Sequence, residues 1–169
     1  MAHKTNIRIL ALILAIIAML FCFVSCGEKG NGNDETQAPQ RGEFVPPPFE
    51  KAVVKGAPEI ADPNAVGYAE LDARAYKVAI CGKVKLNEGK ADVYFTNPES
   101  NDVWLKLRVL NEAGEIIAET GIVMPGEYLK TITFTKAVSV GDKITIKIMG
   151  YEPHTYYSKG EANLNTFIY

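Results

Sequence analysis

From Tyr76 to Val109 the chain reads YKVAICGKVKLNEGKADVYFTNPESNDVWLKLRV. Tyr76, Val78 and Ile80 alternate with Lys77, Ala79 and Cys81. Successive side chains of an extended strand point to opposite faces, so this period of two predicts a strand with one buried face. Val84 and Leu86 follow, then Asn87-Glu88-Gly89-Lys90, a hairpin turn in which Gly89 can take left-handed backbone. Ala91, Val93 and Phe95 alternate with Asp92, Tyr94 and Thr96, and the breakers Asn97 to Asp102 make a loop. Val103, Leu105, Leu107 and Val109 then form the next buried face. The same alternation puts Trp104, Lys106 and Arg108 together on the opposite face.

The pattern continues toward the C terminus. Glu112-Ala113-Gly114-Glu115 turns the chain into Ile116 to Thr120, and Pro125-Gly126-Glu127 is a second turn. After it, Leu129, Ile132 and Phe134 are apolar, while Thr131, Thr133 and Thr135 point away from Ile132 and Phe134. Gly141-Asp142 leads into Ile144, Ile146 and Ile148, alternating with Thr145, Lys147 and Met149. Leu164, Thr166 and Ile168 alternate in the final segment. Seven or eight short strands with turns between them, and no long amphipathic helix, predict an all-β domain over 68–169. The expected architecture is an immunoglobulin-like antiparallel β-sandwich, with a small open barrel as the other possibility.

Toward the N terminus the chemistry changes. Lys4 and Arg8 precede an uncharged apolar run from Ile9 to Val24. At about 1.5 Å per residue a helix of that length spans roughly 24 Å, short of the ~30 Å hydrocarbon core. A positive stretch before a short apolar run is the pattern of an export signal. Phe23-Val24-Ser25-Cys26-Gly27 follows, and it resembles the lipobox of bacterial lipoproteins. That resemblance implies a signal over 1–25, a thiol-lipidated Cys26 at the mature N terminus, and anchorage at the outer face of the cytoplasmic membrane. Phe23 stands where the family usually has leucine. Two or three acyl chains together hold a protein stably at a bilayer, whereas one does so only marginally.

Residues 26–67 are rich in Gly, Asn, Glu, Gln and Pro, with Pro46-Pro47-Pro48 at their centre. They lack the apolar periodicity that offsets chain entropy, so they read as a tether. The other reading is a short docking motif, with Phe44, Val45 and Phe49 flanking the prolines. The domain also resembles a group of exported lipoproteins of Gram-positive bacteria that carry no established activity. The resemblance rests on Asn97-Pro98-Glu99-Ser100-Asn101, Val103 to Arg108, Pro125-Gly126-Glu127-Tyr128 and Met149-Gly150-Tyr151-Glu152-Pro153.

The residue inventory narrows the chemistry. Of 3 cysteines, Cys22 lies in the apolar run and Cys26 at the lipobox, which leaves Cys81 without an internal disulfide partner. Of 2 histidines, His3 belongs to the signal, so any His-dependent catalysis would need His154. The net charge of −2 becomes more negative once Lys4 and Arg8 are removed, which argues against a nucleic-acid partner. The acids gather at turns, where they are solvated. No cofactor, metal site or enzymatic activity is expected. A binding face is expected at Trp104, Lys106 and Arg108, with Tyr94 and Tyr128 contributing, because interfaces favour Trp, Tyr and Arg. Its ligand would be an envelope protein or, alternatively, a wall or host glycan stacked on aromatic rings.

Overall fold

The computed structural model describes residues 44–169. The expected signal, Cys26 and the first part of the expected tether lie outside those residues. Ten strands run in chain order: β1 Val53–Lys55, β2 Tyr68–Asp72, β3 Lys77–Cys81, β4 Leu86–Asn87 and β5 Lys90–Asn97, then β6 Trp104–Asn111, β7 Ile116–Glu119, β8 Glu127–Thr133, β9 Lys143–Tyr151 and β10 Ser158–Phe167. They form two antiparallel sheets, one ordered β1-β8-β5-β3-β2 with β4 beside β5, the other β10-β9-β6-β7. The fold is an all-β sandwich. The chain crosses between sheets at β5→β6, β7→β8 and β8→β9, and β8 returns to lie beside β5, as in an immunoglobulin-like arrangement.

The inner faces are the ones the alternation predicts. Val78, Ile80, Val93, Phe95, Leu105, Leu107, Val109, Ile146 and Ile148 are fully or almost fully buried in one core. Burying each contributes roughly 1.5–3 kcal/mol. Glu88 and Gly89 both have positive φ, as the two-residue hairpin turn between β4 and β5 requires. Tyr76 stands at the start of β3 and plugs one end of the core. Its hydroxyl donates to the Ile148 carbonyl on the opposite sheet at 3.0 Å. Its ring lies where a side chain at Gly150 would stand, 2.4 Å from a Cβ there, so glycine is required.

The breaker loop after β5 is also structural. Asn97 is fully buried, and its Nδ2 donates to the carbonyls of Val103 at 2.8 Å and Val123 at 3.0 Å. Asn101 Nδ2 donates to Asn97 Oδ1 and to the Lys77 carbonyl, and Asn101 Oδ1 accepts from the Lys77 amide. The two asparagines tie the β5→β6 crossover to Lys77 at the start of β3 and to Val123 ahead of β8, and they satisfy backbone groups there.

One boundary differs from expectation. The compact unit begins at Phe44, not near 68. β1 pairs with β8, Val53 opposite Leu129 and Lys55 opposite Glu127. Phe49 bridges Ile122 in parallel, with the Glu50 amide donating to the Ile122 carbonyl and the Ile122 amide to the Pro48 carbonyl, each at 2.8 Å. The second half of the expected tether is therefore part of the sandwich. Its lack of apolar alternation hid this, because the segment is held largely by backbone hydrogen bonds, which any residue can make.

Candidate functional site

The expected binding face is not a free surface. Trp104, Lys106 and Arg108 do share the outer face of β6, but Trp104 is only 9% exposed and Lys106 only 5%. Three rings close over Trp104 edge-on: Phe49 at 5.0 Å, Tyr156 at 5.3 Å and His154 at 5.4 Å between centroids. Phe49 belongs to the N-terminal strap of residues 44–52, and the other two to the β9–β10 loop. That loop is held in an unusual shape, with His154 at φ 66° and Tyr156 at φ 58°. Left-handed backbone is uncommon for non-glycine residues and costs energy in bulky ones. Here it aims both rings at Trp104.

The strap seats through close backbone contact. A Cβ at Gly121 would stand 2.5 Å from the Glu50 nitrogen and 2.7 Å from the Phe49 carbonyl carbon. Glu50 locks the position: its Oε2 accepts from the Gly121 amide at 2.9 Å and its Oε1 from the Lys51 and Ala52 amides.

Lys106 and Arg108 are engaged as well. Both pair with Glu119 on β7, Arg108 Nε at 2.7 Å from Oε2 and Lys106 at Oε1. Burial pushes the Glu119 carboxyl up. Hydrogen bonds and charge from Lys106 and Arg108 outweigh this and hold it below the usual carboxylate range. Lys106 is thus a satisfied, enclosed cation and not a free ligand for a partner.

Tyr94 and Tyr128 lie on the other sheet, so the five expected residues do not form one site. Tyr94 occupies a bulge in β5 at φ 43°, with the Lys130 ammonium 5.8 Å from its ring centroid. Tyr128 is half-buried on β8, opposite Thr96 on one side and Val54 on the other. The chain between β1 and β2 joins opposite edges of this sheet and so crosses its outer face. Beside the crossing lies a cleft of about 930 Å³, floored by Ala79 and Thr96 and walled by Tyr68, Glu70, Pro58 and Met124. The Tyr68 hydroxyl reaches Thr96 at 2.9 Å, which lays its ring across β3. Cys81, on the same outward face of β3, is fully buried, and burial pushes its thiol up to about 11.

A feature the sequence reading missed is the edge of the second sheet. β10 pairs with β9 on one side, and along Ser158–Asn165 no strand lies on the other side among the described residues. The Ile168 amide donates to the Asp142 carbonyl, on the β9 side. Tyr169 turns the other way: its amide donates to the Val84 carbonyl and its carbonyl accepts from the Leu86 amide. Backbone groups alternate sides along an antiparallel strand. Asn163 and Asn165 therefore present their N–H and C=O groups on the open edge. A bulge between Ser158 and Glu161 blunts the start of β10, but Ala162 to Asn165 carries no charge.

Among the described residues, no three His, Cys, Asp or Glu side chains converge as a metal site would require. No family model, curated protein or solved structure matches the chain.

Proposed function

We propose that the chain is an exported lipoprotein whose sandwich is a non-catalytic capture module. An acylated Cys26 holds it at the outer face of the cytoplasmic membrane of a Gram-positive bacterium. The sandwich binds an envelope protein by accepting one of that protein's strands onto β10. The open edge of β10 carries this reading: a long, sparsely charged strand with unpaired backbone groups is a template for an added strand. The glycan alternative, as the sequence frames it, stacks a sugar on Trp104, and Trp104 lies beneath three rings. The catalytic alternatives are equally ill served, since the Cys81 thiol stays protonated and enclosed and His154 packs on Trp104.

Asn163→Pro tests the reading. Proline removes the N–H on the open side and leaves the β9 ladder intact, and edge strands tolerate it there. Cross-linking in native membranes should recover a protein adduct with the wild type. Asn163→Pro should lose that adduct at an unchanged melting temperature, while Asn163→Ala keeps it. An adduct recovered equally from wild type and Asn163→Pro, or no adduct from either, overturns strand capture.

A further inference from the structure

The strap leaves an apolar end on the sandwich. Phe44 is 63% exposed, Val45 79% and Phe49 45%. Phe44 rests on Tyr156, with ring centroids 5.7 Å apart, and Tyr156 and Phe49 both rest on Trp104. These rings thus form one connected group, with Val45 beside it in the chain. The nearby carboxylates are turned to internal work. Glu50 accepts three backbone amides of the strap and Gly121, and Glu152 accepts from Thr155 and pairs with Lys159 at 3.4 Å. Lys51 and His154, the other polar groups on these two segments, are exposed and cannot repel an anionic surface. Among the described residues of these two segments no acid is left unpaired, and such an aromatic surface suits the headgroup level of a bilayer, where Tyr, Trp and Phe rings rest with one side apolar and the other wet.

Chain connectivity says which surface this is. Phe44 is the first residue of the compact unit and follows Gly27–Glu43, the residues after Cys26. A chain of that length reaches at most about 60 Å when fully extended. The apolar end is therefore where the chain from an acylated Cys26 enters the domain, within that reach of the lipid. We infer that Phe44, Val45, Phe49 and Tyr156 seat the sandwich directly on the membrane surface, an inference that rests on the lipoprotein reading. The former tether then acts as a docking pad that fixes the orientation of the domain and points it away from lipid at its opposite end.

Trp104 is the chain's one tryptophan and lies one ring beneath the pad, so it reports the contact. The mature protein, purified from membranes, is reconstituted into phosphatidylcholine–phosphatidylglycerol vesicles whose acyl chains are brominated near the headgroup. Intact mass and vesicle flotation are recorded on the same sample. The expected result is an acylated, floating protein whose Trp104 emission is quenched by the brominated lipid. Phe44→Ser combined with Val45→Ser, two exposed positions, should still float but lose the quenching. An acylated, floating wild type without quenching overturns the pad and leaves the lipoprotein reading standing. Equal quenching in the double variant overturns the pad as well. A wild type that carries no acyl mass overturns the lipoprotein reading, and the pad with it.

Discussion

Two buried side chains give the sandwich an alkaline weakness. Burial is the main cause that pushes the Tyr76 hydroxyl up to about 12 from an ordinary 10.0, with the Glu161 carboxylate adding to it. Burial likewise pushes the Cys81 thiol up to about 11 from 9.0, with Asp92 adding. As pH rises, the unfolded chain loses these protons before the folded one. The stability that the protonated groups contribute is complete below pH 9 and is lost as pH climbs toward 12. The urea midpoint should therefore fall over this range, and Cys81→Ala should flatten the fall between pH 9 and 11. A Cys81→Ala curve that runs parallel to the wild type would contradict the assignment. The sequence located these residues well: alternation put Tyr76 inward and Cys81 on the outward face. It did not show that Tyr68 would lie across β3, because the Tyr68–Thr96 bond joins residues 28 positions apart. The same limit applies at Trp104. Its outward direction was legible from the period of two, but its cover comes from Phe49 and Tyr156, far away in the chain.

At the scale of elements, the long strands were legible and the short ones were not. β5, β6 and β9 each carry four or more alternating positions, enough for the pattern to stand out. β1 has 3 residues and β4 has 2, too few for a period to register. They raise the count to ten where seven or eight strands were expected. The strap was the larger miss. Its prolines read as a spacer, and only Phe44, Val45 and Phe49 around them hint at docking. Its seat depends on Gly121, where the backbones meet too closely for a side chain. Gly121→Ala should lift the strap, cost about 1–3 kcal/mol, shift Trp104 emission to longer wavelength and open the Phe49 peptide bonds to chymotrypsin. Glu50→Ala, which removes the lock without adding volume, should produce a smaller change in the same direction. Unchanged emission and protease resistance in Gly121→Ala would show that the strap is not what shields Trp104.

At the scale of the whole molecule, the two outer faces and the edges divide the work. The outer face of the β10-β9-β6-β7 sheet is closed at one end by the strap and in its middle by the Lys106–Glu119–Arg108 network. The outer face of the other sheet is crossed by the chain between β1 and β2. Among the described residues, the β10 edge and the apolar pad around Phe44 stay open, as do the cleft beside Tyr68 and the outer edge of β2. In the proposed reading the pad faces lipid and the β10 edge faces a partner, and both depend on a lipid at Cys26. The most direct test is the intact mass of the protein isolated from membranes, followed by fragmentation of its N terminus. The expected species begins at Cys26 and carries a diacylglyceryl group on the thiol. An unmodified chain that retains Met1, or a mature chain starting elsewhere with no lipid, would contradict it.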